Sequence, residues 1–186
     1  MDGVYFLSIL VLFSNIITVI VGIFLLTDRI IRIEAIVHSR EKIRTLIDKY
    51  ALQILLLVSA TATLGSLYLS EVRGFAPCRL CWYQRIFMYP VPVLFMTSIY
   101  KKTKDVFLYT LPLSMVGLFI AGYHYYLQLN PSPYAPCGDI GFSVSCSENF
   151  FTHFGYITIP WMSFSAFAII ASISLLQLKA RRTKRD

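Results

Sequence analysis

Long uncharged stretches separated by short basic clusters constrain this chain more than any other feature. Val4 to Leu26, Tyr50 to Leu69 and Ile157 to Leu178 contain no Asp, Glu, Lys, Arg or His, and Val106 to Leu129 contains only His124. Ile86 to Tyr100 is uncharged but short, so its helix is expected to begin near Cys81 and to take Arg85 inside. A helix rises about 1.5 Å per residue and needs about 20 apolar residues to cross a bilayer. Five spanning helices are therefore expected. Hydrophobic residues make up 56% of the chain and charged residues 15%, against roughly 45–50% and 25% in soluble proteins. So few charges cannot cover a water-soluble surface. The net charge is nevertheless +7. A nucleic-acid binder would spread that charge over one folded face. Here it is bunched between apolar runs, and no nucleic-acid partner is expected. The chain reads as an all-α polytopic membrane protein.

The clusters also orient it. Arg29, Arg32, Arg40, Lys42, Arg44 and Lys49 follow the first run, Lys101, Lys102 and Lys104 the third, and Lys179, Arg181, Arg182, Lys184 and Arg185 the last. These regions lie on one side, which the positive-inside rule makes cytoplasmic. The N-terminus is then outside and the C-terminus inside. The first run is read as a retained helix, since acidic Asp2 rather than a basic stretch precedes it and it ends without a cleavage site of small residues. Between about 30 and 49, apolar residues recur at helical spacing with charges between them, as in an amphipathic helix on the cytoplasmic face.

All four cysteines, Cys78, Cys81, Cys137 and Cys146, fall in the two loops assigned to the outer side. An even count in an oxidising compartment favours disulfides, either as structural staples or as a thiol–disulfide relay. Cys78-Arg79-Leu80-Cys81 is a C-x-x-C. Its small loop removes little chain entropy, so it stabilises little, but it favours reversible exchange. Cys81, near a helix start, is expected to gain thiolate character from the helix dipole and from Arg85 four residues on. Arg85 has a second reading, as a side chain that snorkels to the headgroups.

Haem attachment would need His where Trp82 stands, and zinc ligation would need closer spacing than that of Cys137 and Cys146. No metal is expected. Cys137 and Cys146 sit in a Pro- and Gly-rich loop that a soluble partner could reach, as staple or as redox pair. No nucleotide fingerprint is present, so electrons drawn from thiols would need an acceptor soluble in the bilayer, for which a quinone is suited. His124 is the only histidine inside a span, read either as a hydrogen-bonded core residue or as part of a site. His153 is read as a solvated loop residue.

The run Cys78-Arg79-Leu80-Cys81-Trp82-Tyr83-Gln84-Arg85, followed by Met88-Tyr89-Pro90, resembles the signature of the DsbB family. Gly65-Ser66-Leu67-Tyr68-Leu69-Ser70-Glu71 makes the chain most similar to the BdbC branch, with support from Tyr123-His124, Gln128 to Pro133, Phe154-Gly155 and Ile159-Pro160-Trp161. The resemblance implies a four-helix transmembrane bundle over 50–178 in the cytoplasmic membrane. To it are added an N-terminal extension, 1–49, with one further transmembrane helix and the cytoplasmic amphipathic helix, and a basic tail, 179–186.

It further implies a thiol:quinone oxidoreductase that reoxidises an extracytoplasmic DsbA-like (BdbD-like) thiol oxidase and reduces a ubiquinone or menaquinone type of acceptor. Cys137 would take the partner's cysteine, with Cys146 as its loop partner. Cys78 would exchange with the loop, and Cys81 would lie beside the quinone with Arg85 and His124. The Cys137–Cys146 loop is shorter than in the longer DsbB branch, and the extension lies outside the pattern. Two other readings remain at this stage, a vitamin-K-epoxide-reductase-like enzyme and a membrane scaffold with two structural disulfides.

Overall fold

The structure, a computed structural model, describes residues 3–27, 34–131 and 145–183. Cys137, Arg29, Arg32, Lys184 and Arg185 lie outside these residues. The fold is all-α: α1 (Gly3–Thr27), α2 (Glu34–Leu67), α3 (Arg79–Met88), α4 (Pro90–Lys101), α5 (Val106–Leu129) and α6 (Ile159–Thr183). Among the described residues, four helical stretches are long and apolar enough to cross a membrane: Gly3–Ile23, Asp48–Val72, Val106–Leu129 and Ile159–Arg182. The protein is a multi-pass membrane protein.

Two expectations change. The amphipathic stretch is not a separate helix. α2 runs without a break from Glu34, for 34 residues, or about 50 Å at about 1.5 Å per residue. No Gly or Pro lies between the amphipathic and apolar halves to interrupt it. The expected span at 81–100 is two helices, and it starts earlier, at Arg79. Tyr89 keeps helical angles (φ −63°, ψ −34°) and donates its N–H to the Arg85 carbonyl at 2.9 Å. Pro90 and Pro92 follow without N–H groups, so the ladder loses its bonds to the carbonyls one turn back.

α5 and α6 form the most extensive interface. Along α5, Thr110, Ser114, Gly117, Ala121 and His124 are buried at steps of three and four residues, one inward-facing stripe of a 3.6-residue helix. The stripe is small where the helices approach. A methyl on Gly117 would overlap the ring of the fully buried Phe167, and the Thr110 and Ser174 hydroxyls meet at 3.2 Å. Small residues and hydroxyl pairs are what membrane helices use to pack closely. His124 occupies the next place on this stripe and is therefore carried inside. A cluster built on Leu55, Val91, Phe95, Phe107, Phe167 and Ile170 fills the centre.

At the end bearing the basic residues, the described residues include the ion pairs Lys104 Nζ to Asp48 Oδ1 and Arg181 Nη1 to Asp105 Oδ1, each 2.9 Å. At such exposed positions each contributes about 0–1 kcal/mol. At the other end α2 passes into a π-helical turn, Tyr68–Val72. Gly74 (φ +71°) then takes the left-handed conformation that an L side chain resists and turns the chain toward Cys78.

Candidate functional site

Cys78, with an extended backbone (φ −75°, ψ 175°), is the N-cap of α3. Its sulfur accepts the backbone N–H of Cys81 at 3.4 Å, where a cap side chain satisfies a first-turn amide. The sulfur that the helix start favours is thus that of Cys78, not of Cys81 as the sequence suggested. The reason is register: the cap lies one residue before the helix, and the helix begins at Arg79. The two sulfurs are 3.3 Å apart, both as free thiols.

His124 Nε2 lies 3.5 Å from Cys78 Sγ, and its Nδ1 lies 2.9 Å from Gln84 Nε2. With the Gln84 amide nitrogen facing it, Nδ1 must accept, which leaves the proton on Nε2 and directed at Cys78. Cys78 is held well below the ordinary thiol range. The largest cause is the hydrogen bond from the Cys81 thiol; His124 adds to it, and burial opposes it.

Gln84 was not singled out from sequence. It is buried with Leu80 and Met88, its neighbours four residues either side, so helical spacing from those two apolar residues was the available signal. Cys81 and Arg85 lie one residue further along. The Arg85 guanidinium donates from Nε to Ser66 Oγ at 3.1 Å and from Nη2 to the Ser66 carbonyl at 3.2 Å, and it lies 5.1 Å from the Trp82 ring centre. It is anchored to α2 rather than extended along the helix toward headgroups.

Cys146 is disulfide-bonded and buried. It packs in one cluster with Cys78, Leu80 and Leu127, against which Cys81 also packs. The loop cysteine and the C-x-x-C therefore share one buried cluster. Cys78 Sγ, Cys81 Sγ and a His124 ring nitrogen lie within 4.8 Å of one another, three donors where a structural zinc site closes with four. His153 is not the solvated residue expected. Its Nδ1 meets Ser8 Oγ at 2.7 Å, and its ring lies against Tyr5 and Phe151.

On the other side of Cys81 opens a cavity of about 360 Å³ between α1, α2, α3 and α6. Its lining is mostly apolar, with Cys81, Gln84, Arg85 and Ser66 grouped at the α3 side. His124 is not among its lining residues and faces Cys78 instead. A stacked pair, Phe75 on Phe150 at 4.8 Å, contributes to the lining from the loops. The arrangement places a thiol, a cation and a lipophilic slot side by side.

Comparisons with known proteins agree with this geometry. Residues 48–177 match the family described as Disulfide bond formation protein DsbB. The chain is 43% identical over 128 residues to a probable disulfide formation protein C of Halalkalibacterium halodurans, covering 67% of this chain and 90% of that protein. It is 40% identical over 129 residues to disulfide bond formation protein C of Bacillus subtilis, covering 68% and 91%. No solved structure matches. With most of its length matched and a capped C-x-x-C set against a buried loop cysteine, the chain belongs to the DsbB family, membrane oxidoreductases of disulfide bond formation.

Proposed function

We propose that the protein reoxidises an extracytoplasmic DsbA-like (BdbD-like) thiol oxidase and passes the electrons to a membrane quinone. One observation carries this reading: Cys146 and Cys78 share one buried cluster, Cys81 lies 3.3 Å from Cys78, and Cys81 also lines the apolar cavity. In it, α3 and α4 act together as one interrupted span, and α2 to α6 form the four-span bundle. The basic end is cytoplasmic, and the cysteines face the oxidising side.

The residues exchange as follows. The partner's thiolate attacks Cys137; the Cys137–Cys146 bond breaks and Cys146 leaves as a thiolate. Burial of Cys146 supports Cys137 as the point of attack. Cys146 then attacks the Cys78 sulfur, the Cys78–Cys81 bond breaks, and Cys81 leaves as a thiolate on the cavity wall. The partner's second cysteine closes the partner's own disulfide and releases Cys137. Cys137 attacks Cys146, restoring the loop disulfide and freeing Cys78. The partner has lost two electrons and two protons, and the C-x-x-C has gained both.

The cavity's residues fit a quinone: an apolar lining for ring and tail, and guanidinium N–H groups of Arg85 for a carbonyl oxygen. A bound quinone supplies the sink for two electrons and two protons and leaves as hydroquinone. Arg85 would hold that oxygen in the cavity that Cys81 lines, and the Cys78 sulfur would close the Cys78–Cys81 bond as the two electrons pass to the quinone.

Trapping tests the reading. A partner lacking its second cysteine should accumulate as a disulfide-linked complex with the wild type, with the linkage mapped to Cys137, and not with Cys137→Ser or Cys146→Ser, which both lack the loop disulfide that it attacks. No complex with the wild type, as expected of a scaffold with two structural bridges, would overturn the reading.

A further inference from the structure

The N-terminal helix lies outside the family match, which begins at residue 48, yet it is seated on the site. Leu7, Leu10, Val11, Ser14 and Ile17 of α1 line the same cavity as Cys81 and Arg85. The seating is specific. Ser165 Oγ on α6 donates to Asn15 Oδ1 at 2.6 Å, and Ser8 Oγ meets His153 Nδ1 at 2.7 Å. Tyr5 packs on His153 and Phe154, with ring centres 5.9 and 5.8 Å apart. On α2, Gly65 leaves room for Leu7; a methyl there would lie 3.3 Å from Leu7 Cδ2. The opposite side of α1, with Ile16, Ile20 and Ile23, is exposed, as suits a helix facing lipid tails. One polar atom stands out on the inner side. Ser14 lines the cavity, and its hydroxyl is buried with no hydrogen-bond partner among the described residues. A buried hydroxyl without a partner costs free energy unless something fills the role.

We infer that α1 is a wall of the acceptor site, closing the cavity between α2 and α6 and offering the Ser14 hydroxyl to an oxygen of the bound quinone. This rests on the quinone reading above. α1 then encloses a lipophilic head that would otherwise lie open to the bilayer between α2 and α6. It adds the Ser14 hydroxyl to the lining that already holds Arg85, a second hydrogen-bond donor for a ring with two carbonyl oxygens. A wall contributed from outside the bundle is a place where acceptor preference can be set without altering the cysteines.

The test uses the full chain and a photoreactive azido-benzoquinone with a short isoprenyl tail. Illumination followed by peptide mapping should place label on the Leu10–Ile17 stretch of α1 as well as on α3. Ser14→Trp and Leu10→Trp should each lower probe retention about tenfold or more, as loss of one good contact and its space does. Ile16→Trp and Ile20→Trp, on the exposed side, should leave retention unchanged. Ser14→Ala, which adds no bulk, should weaken retention by a smaller factor, and it decides the matter if the tryptophan variants fail to fold. Partner trapping at Cys137 reports folding independently of the acceptor. Label on α2 and α3 with none on α1, or wild-type retention in both Ser14 variants, would overturn the role of α1 and leave the quinone reading standing. No label anywhere in the chain would overturn both.

Discussion

Cys78 holds the chemistry that its position in the sequence does not announce. Its sulfur caps α3 and receives hydrogen bonds from Cys81 and His124. Each favours the thiolate, so the folded-state pKa lies below that of a free thiol. The sign follows: the thiolate persists as pH falls below the ordinary thiol range and is lost only on acidification through the depressed value. Stability linked to it is likewise present at higher pH and lost as pH falls. The difference in ultraviolet thiolate absorbance between the wild type and Cys78→Ser should therefore titrate well below a free cysteine. His124→Ala should move that titration upward, and Gln84→Leu should move it in the same direction by a smaller amount. A midpoint unchanged in His124→Ala would show that the histidine does not act on this sulfur. The pair of cysteines was legible from the C-x-x-C alone. Which of them is favoured was not, because a one-residue shift in helix start exchanges their roles. Gln84 was missed because glutamine is ordinary on a helix. Only its burial between Leu80 and Met88, facing His124 from another helix, gives it a task.

At the scale of elements, the uncharged runs predicted α1, α2, α5 and α6 well, because a bilayer demands length and apolarity that can be counted. The stripe from Thr110 to His124 was equally open to reading at helical spacing. Pro90 and Pro92 carried a signal for a break, since proline removes fixed hydrogen bonds, but Pro112 carries the same signal inside an unbroken α5, and one helix was expected over 81–100. The continuity of α2 was not readable, because charge content and helix continuity are independent properties. The α5–α6 contact depends on a glycine that no periodicity distinguishes. Gly117→Ala should force the Phe167 ring or the helices apart and destabilise the fold by about 1–3 kcal/mol, the range for overpacked cores. Pairing it with Phe167→Leu should restore part of the loss, measured by thermal unfolding in detergent. Equal melting of Gly117→Ala and wild type would mean that α5 and α6 do not pack as closely as described.

At the scale of the whole molecule, basic residues and cysteines mark opposite ends among the described residues, and the helices join them. Lys104 and Arg181 bond to Asp48 and Asp105 at one end; Cys78, Cys81 and Cys146 gather at the other. This polarity was legible from Lys and Arg placement. The seat of α1 was not, because contacts such as Ser8 with His153 and Asn15 with Ser165 join residues about 150 positions apart. No local pattern encodes such pairs. The central claim is that electrons cross from a partner's dithiol, through Cys78 and Cys81, to a quinone in the cavity. Anaerobic mixing of the purified full chain with reduced partner and excess quinone measures this directly. The account predicts one hydroquinone formed for each partner disulfide, with turnover abolished in Cys81→Ser. Full turnover in Cys81→Ser, or partner oxidation without hydroquinone, would contradict it.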